Sequence, residues 1–254
     1  MTISTEAKRV AAKPYLSVII PAYNEQTRIA DSLYVIKDYL SNQSYRSEMI
    51  VVDDGSNDLT TEIVKFIDIY GKEQLEHDEG TLIENSKNVG KGYSIAKGML
   101  RSSGDIVLFM DADRSTHISE VEKLLPYFDA GFDMVIGSRK MKTSIVDKKP
   151  WYRNLMSCLF NVAVRLISVS GIRDTQCGFK AYRGEISHKI AKQQRIRGFG
   201  FDVEHLYIAQ KSGFKIKEVA IKWTHSEGSK VGPIKDSVTM FLDLIRIRWI
   251  HRML

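Results

Sequence analysis

Apolar runs that stop at polar clusters recur through the first half of the chain. Leu16–Ile20 is such a run and ends at Pro21, which reads as a buried strand followed by a loop. Ile29, Leu33, Ile36 and Leu40 then follow at helical spacing. Met49–Val52 predicts a second strand, with Asp53 and Asp54 at its end. Ser56 to Asp58 supplies helix caps, and a helix through Ile63, Phe66 and Ile67 ends near Gly71. "TLIEN" predicts a third strand, "NVGKGYSIAKGMLRSSG" a helix with a glycine-rich entry, and "DIVLFM" a fourth strand running into Asp111. Glu120–Phe128 reads as helical and "FDMVIGSR" as a fifth strand.

Alternating strands and helices predict an α/β fold with a mostly parallel central sheet flanked by helices and joined by right-handed crossovers. Ligands of such sheets bind beyond the carboxyl ends of the strands. The polar clusters fall there: Tyr23–Glu25, Asp53–Asp54, Asp111–Asp113 and Ser138–Arg139. Their convergence on one crevice says more than any one cluster.

The second half is patterned differently. Trp151–Ser170 is largely apolar but carries Arg153 and Arg165, which fits a lip or interface helix better than a membrane span. "GFGFDVEHLYIAQKSG" predicts a short helix and "KIKEVAIKW" alternates like a strand. The last stretch sets Met240, Phe241, Leu244, Ile245, Ile247, Trp249 and Ile250 among Arg246, Arg248 and Arg252. Such a basic amphipathic helix either lies at a lipid headgroup layer or packs on the core with its arginines solvated. No repeat or Pro/Gly-rich linker divides the chain, so residues 1–254 read as one domain.

Composition narrows little. With 254 residues, 43% hydrophobic and 27% charged, the chain has ample material for a core. A net charge of +6 points to anionic partners without choosing among them. Cys158 and Cys177 have no Cys or His at zinc spacing, which implies reduced thiols and no structural metal. "MTISTEAKRVAAK" lacks the apolar core of a signal peptide and reads as a lead-in to the first strand.

The candidate chemistry lies in the carboxylates. Mg²⁺ and Mn²⁺ take a few hard oxygens and leave the remaining positions to water or substrate phosphate. Asp111 and Asp113, on a rigid strand end, meet that need; the bland alternative is that Asp113 or Ser115 caps the next helix. Asp53 and Asp54 would either accept hydrogen bonds from a base or ribose or build a local turn. Tyr23, Asn24 and Glu25 would add a stacking face and acceptors. Neither a G-x-x-x-x-G-K-[ST] loop nor a G-x-G-x-x-G turn after the first strand is present, which disfavours a P-loop or NAD-type site.

"SVIIPAYNE", "IVVDDGSND", "NVGKG", "LFMDADRST" and "VIGSR" resemble the nucleotide-sugar half of family-2 glycosyltransferases with a GT-A fold. "DTQCGFKAYR", "GFGFDVEHLYIAQ", "EVAIKW", "EGSK" and "LIRIRW" extend the resemblance to the dolichyl-phosphate glucosyltransferases, relatives of the corresponding mannosyltransferases. It covers the chain from about Leu16 to Trp249.

The resemblance implies a nucleotide-sugar half over residues 16–140, an acceptor half over 141–236 and an amphipathic helix over 237–254. Pro21, Tyr23, Glu25, Asp53 and Asp54 would hold base and ribose, with Lys91 and Ala112 near the nucleotide. Asp111 would meet the ribose or metal-bound phosphates, and Asp113 would be the main ligand of Mg²⁺ or Mn²⁺. Arg139 would lie by the sugar or diphosphate. Asp174, Gly178 and Phe179 would line the acceptor side, with Arg153 and Lys230 on the acceptor phosphate. Asp202 and Glu204 would act as base or position the donor sugar. Ser115 departs from the mannosyltransferase pattern, which has glutamine there.

The implied activity is inverting transfer of a hexose, glucose from UDP-glucose, to a polyprenyl phosphate, by a peripheral protein at the cytoplasmic face of the membrane. It would be a prokaryote-like form without the N-terminal span of eukaryotic relatives. The alternatives are GDP-mannose as donor, in a polyprenyl-phosphate mannosyltransferase, or a family-2 glycosyltransferase with a non-lipid acceptor. A nucleic-acid partner is disfavoured, because the lysines and arginines are dispersed while the acids cluster. A nucleotidyltransferase would not call for "EGSK" or the basic C-terminal helix.

Overall fold

The computed structural model describes residues 13–71, 78–146, 164, 169–225 and 235–253. The strands are β1 (Leu16–Ala22), β2 (Ser47–Asp53), β3 (Asp78–Glu84), β4 (Ile106–Met110), β5 (Met134–Ser138), β6 (Ile145–Val146), β7 (Phe179–Arg183), β8 (Ile216–Ala220) and β9 (Lys222–Trp223). The helices are α1 (Ile29–Ser41), α2 (Thr60–Gly71), α3 (Lys91–Arg101), α4 (Pro126–Asp129), α5 (Gly184–Gln193), α6 (Phe201–Lys211) and α7 (Lys235–Ile250). A 3₁₀ helix spans Ile118–Lys123.

The main sheet runs β3-β2-β1-β4-β7-β5-β8, and β6 pairs with β9 in a small second sheet. β1 pairs in parallel with both β2 and β4. The chain therefore builds outward from β1 in one direction, then returns to its other side. That reversal is the place where an open α/β sheet leaves a crevice for a ligand. β7 lies antiparallel to both neighbours, and its first residue, Phe179, pairs with Met110, the last of β4.

Helices cover both faces, so the parallel strands are apolar throughout. Alternate residues go to opposite layers. Val18, Ile20 and Leu108 join Leu33, Ile36 and Val121 on one face. Ile19, Val107 and Phe109 join Ile95, Met99, Ile190, Phe201 and Leu244 on the other. Phe109, wholly buried, has its ring centroid 5.6 Å from that of Phe201. Truncating such a ring to alanine costs about 3–5 kcal/mol.

Two expectations change and one strand is new. Glu120–Phe128 is not one helix, because Pro126 has no N–H to continue a ladder and instead opens α4. "KIKEVAIKW" breaks at Ile221 into β8 and β9, which join different sheets. "FKAYR" is a central strand that the apolar pattern did not disclose. The segment around Trp151–Ser170 lies almost wholly outside the described residues.

The C-terminal helix carries apolar residues on two sides. Met240, Leu244 and Ile247 are buried, while Phe241, Leu242, Ile245 and Trp249 are exposed, Trp249 at 67%. Among the described residues no helix is long and apolar enough to cross a membrane.

Candidate active site

The crevice opens where β1 and β4 end. Asn24, after β1, and Arg114, after β4, have φ of 52° and 58°. They are the non-glycine residues of positive φ among those described, and a left-handed backbone costs more at Arg than at Asn. The turn at Arg114 makes room for the Asp113 carboxylate to fold back and accept the Ser115 N–H at 2.9 Å. The backbone of Ser115 thus steadies the Asp113 carboxylate. Arg114 reaches Asp31 at 3.3 Å on the surface.

Asp111 and Asp113 crowd each other. Burial first, and then the Asp111 charge, hold the Asp113 carboxyl above the ordinary carboxylate range. Two cations answer that charge. Lys91, first residue of α3, places Nζ 2.5 Å from Asp111 Oδ1. Burial works against its ammonium, but Asp111 and Asp202 outweigh it and keep Lys91 protonated. Arg28 donates through Nε and Nη2 to Glu25 and is held charged by Glu25 and then by Asp113 and Asp111. Arg28 was not singled out from the sequence; its spacing of three from Glu25, at the entry to α1, was the available signal.

Asp53 and Asp54 are buried and bonded within the protein. Asp53 accepts the Ser56 N–H and hydroxyl and the Thr61 hydroxyl. Asp54 accepts from Asn85 Nδ2 at 2.8 Å and from the Val89 and Gly90 N–H groups at 3.0 and 2.8 Å. The second carboxylate thereby fixes the loop that delivers Lys91. The turn chemistry read in "DDGSND" is thus present. Pro21 and Tyr23 are partly buried beside the β1 end, and the Ala112 carbonyl accepts the Ser32 hydroxyl at 2.5 Å.

Antiparallel β7 brings the second half to the same place. The Gly178 carbonyl accepts the Asp111 N–H at 3.2 Å. A Cβ on Gly178 would sit 2.0 Å from Asp111 Oδ2, so any side chain here would have to displace the carboxylate lying over it. Asp174 accepts Arg139 Nε and Nη2 at 2.7 and 2.8 Å and the Arg139 N–H at 2.9 Å, while Nη2 also meets the Gln176 carbonyl. Despite burial, Arg139 holds Asp174 well below the usual carboxylate range. This fork is spent on Asp174, so the pair shapes the wall, in place of an Arg139 turned wholly to a sugar or diphosphate. Phe179 is wholly buried in the core and lines no surface, contrary to expectation. Cys177 is buried, which pushes its thiol up to about 12.

Asp202 and Glu204 part company. Asp202 accepts from the buried Lys180 and lies within the charge field of Lys91 and Asp111. Burial raises its carboxyl above the ordinary range, and the two lysines oppose that. Glu204 is fully buried and accepts the Arg195 and Ile196 N–H groups, each at 2.8 Å, and His251 Nε2 at 2.7 Å. Two residues apart on a helix point to nearly opposite sides, so Glu204 braces a loop and the C-terminus, a correction to its expected place beside the substrate. Arg153 and Lys230 lie outside the described residues.

Among the described residues no three His, Cys, Asp or Glu side chains form a ready cage for a metal. Asp111 and Asp113 nonetheless fit a divalent ion that keeps water and phosphate ligands: they are hard, partly accessible, and mutually repelled.

Solved structures with the same fold include glucosyl-3-phosphoglycerate synthase from Mycobacterium tuberculosis in complex with Mn²⁺, UDP and glucosyl-3-phosphoglycerate. It superposes with a TM-score of 0.68 at 19% identity, covering 92% of this chain and 78% of that one. The architecture is thus the GT-A fold of nucleotide-sugar transferases. The model described as glycosyl transferase family 2 matches residues 17–191, and the chain belongs to that family. Dolichyl-phosphate beta-glucosyltransferase of Dictyostelium discoideum is 36% identical over 247 residues, spanning 92% of this chain and 74% of that protein. The human protein of the same name is 35% identical over 246 residues, with the same coverage.

Gly178→Ala tests the β4–β7 contact. The added methyl must displace the Asp111 carboxylate, so Mn²⁺-dependent UDP binding, measured by calorimetry, is expected to weaken at least tenfold while the fold persists by circular dichroism. Unchanged binding would show that Asp111 is not held there.

Proposed function

We propose that the chain transfers glucose from UDP-glucose to a polyprenyl phosphate with inversion at the anomeric carbon. One observation carries the reading: the likeness to dolichyl-phosphate beta-glucosyltransferases runs through 92% of the chain, acceptor half included. As donor, UDP-glucose has support from a fold neighbour solved with that nucleotide sugar and Mn²⁺.

The chemistry asks little of a base. A phosphomonoester has a second pKa of about 6, so the acceptor oxygen is already anionic at neutral pH. That oxygen bonds to the anomeric carbon as the bond to the diphosphate breaks, and UDP leaves with the electron pair. What the enzyme must supply is positive charge and alignment. Lys91 and Arg28 bring charge to the diphosphate, and Asp53, Asp54, Pro21 and Tyr23 frame the base and ribose. Asp111 and Asp113 would hold Mg²⁺ or Mn²⁺. When bound, the ion supplies Lewis-acid stabilisation to the leaving diphosphate. Asp202 accepts a hydrogen bond from the donor sugar, and Arg153 and Lys230 grip the acceptor phosphate.

Lipid access would come through α7. Its exposed Phe241, Leu242, Ile245 and Trp249, close to Arg248 and Arg252, suit a shallow seat in an anionic headgroup layer at the cytoplasmic face.

Two outcomes follow. Purified protein with Mg²⁺ or Mn²⁺, a short polyprenyl phosphate and a panel of UDP- and GDP-sugars should yield a lipid-linked β-glucoside from UDP-glucose, and Asp113→Ala should lower the rate at least 100-fold. Product from GDP-mannose alone would replace the donor, and no product with any sugar would sink the reading. Separately, Phe241→Ser/Trp249→Ser should lose most co-sedimentation with vesicles containing phosphatidylglycerol, with UDP binding unchanged; full retention would remove α7 from the membrane.

A further inference from the structure

Lys180 is wholly buried in the second strand from the crevice. A buried ammonium is tolerated only with close partners. Its Nζ donates to the Cys177 carbonyl at 2.7 Å and to the Asp202 carboxylate, and lies 5.4 Å from the centroid of the Phe109 ring. Tyr182, two residues along and on the same strand face, hydrogen-bonds His205 Nδ1 at 3.0 Å. His205 Nε2 meets Gln194 Oε1 at 2.7 Å. Burial first, and then Lys180, push the His205 ring down to about 3, so it is neutral. With Gln194 accepting from Nε2–H, Nδ1 accepts the Tyr182 hydroxyl hydrogen.

Two polar links therefore tie β7 to α6, from positions 180 and 182 to positions 202 and 205. One is neutral and closed within the core. The other is charged, and its carboxylate end follows Phe201, whose ring centroid is 6.0 Å from the Nζ of Lys91, the lysine that meets Asp111 at 2.5 Å at the crevice. A structural clamp alone has no need of charge, as the neutral link demonstrates. The charge has a use if Asp202 must stay an acceptor: an ionised carboxylate accepts at both oxygens, whereas the acid form turns one into a donor.

We infer that Lys180 is a positioning residue, which locks the Asp202 carboxylate at the crevice as a hydrogen-bond acceptor for a hydroxyl of the donor sugar. This rests on the glycosyl-transfer reading above. Among the described residues the groups facing Asp202 are Lys180 from β7, Lys91 from α3 and Asp111 from the end of β4, with Tyr182 and His205 neutral in the same joint. Among the described residues, loss of Lys180 leaves Lys91 as the cation opposing protonation of a buried acid.

Lys180→Met, Asp202→Asn and the double variant test it by two readouts. In the first, ¹³C carboxyl NMR at pH 7 follows Asp202, assigned as the resonance lost in Asp202→Asn. It is expected in the ionised position in wild type and shifted to the protonated one in Lys180→Met; the same ionised signal in both would overturn the inference, whether or not the protein turns over. In the second, the two single variants are expected to lower kcat/KM for the nucleotide sugar by similar factors of tenfold or more, with the double variant no worse than Asp202→Asn. Multiplying losses would overturn it. If Lys180→Met alone does not fold, the double variant, which leaves no unpaired buried charge, stands in: activity equal to Asp202→Asn supports the inference, and a further tenfold loss defeats it. A wild-type enzyme inactive on every donor sinks the transfer reading, while the NMR comparison still decides on Lys180.

Discussion

Two carboxylates crowded at the end of one buried strand require positive charge close by. At an effective dielectric near 20, unit charges about 4 Å apart interact by about 4 kcal/mol, a large fraction of a domain's stability. Much of the crevice answers this demand. Asp54 fixes the loop that presents Lys91 to Asp111, and Glu25 holds Arg28 within reach of Asp113. Ser115 turns the Asp113 carboxylate and donates to it. The resident cations only partly offset these acids, which is the ground for proposing a divalent ion there.

The second constraint is topological. β7 enters antiparallel between β4 and β5, so its beginning, not its end, lies at the ligand side of the sheet. That single reversal sets Gly178 under Asp111 and sends Lys180 toward Asp202. Asp111 and the residues of the second half thus share one wall, and α6 docks over it. Shape comes from buried pairs such as Arg139–Asp174, whose geometry depends on the same strand ends.

The parallel strands were legible because helices cover both their faces, and such strands must be apolar along their length. The polar residues that end them were legible for the same reason. β7 was hidden by Lys180, a charge in the middle of a central strand, whose partner lies 22 residues further on. Asp202 and Glu204 look equivalent in "FDVE", and only the helix phase separates the partner of Lys180 from a brace. Arg28 escaped notice because nothing along the chain says that it lies near Asp113; the β1–β4 neighbourhood does. The C-terminal helix read as a mixed apolar and basic stretch, and its division into a docked stripe and an exposed one needed the packing of Leu244 and Ile247.

The most direct measurement is a crystal structure with Mn²⁺ and UDP, recorded with anomalous scattering from manganese. A peak against the Asp113 carboxylate, with the diphosphate beside it and the nucleoside lying across the β1–β4 ends, is the predicted result. A manganese peak elsewhere, or one that persists undiminished in Asp113→Ala crystals, would contradict it.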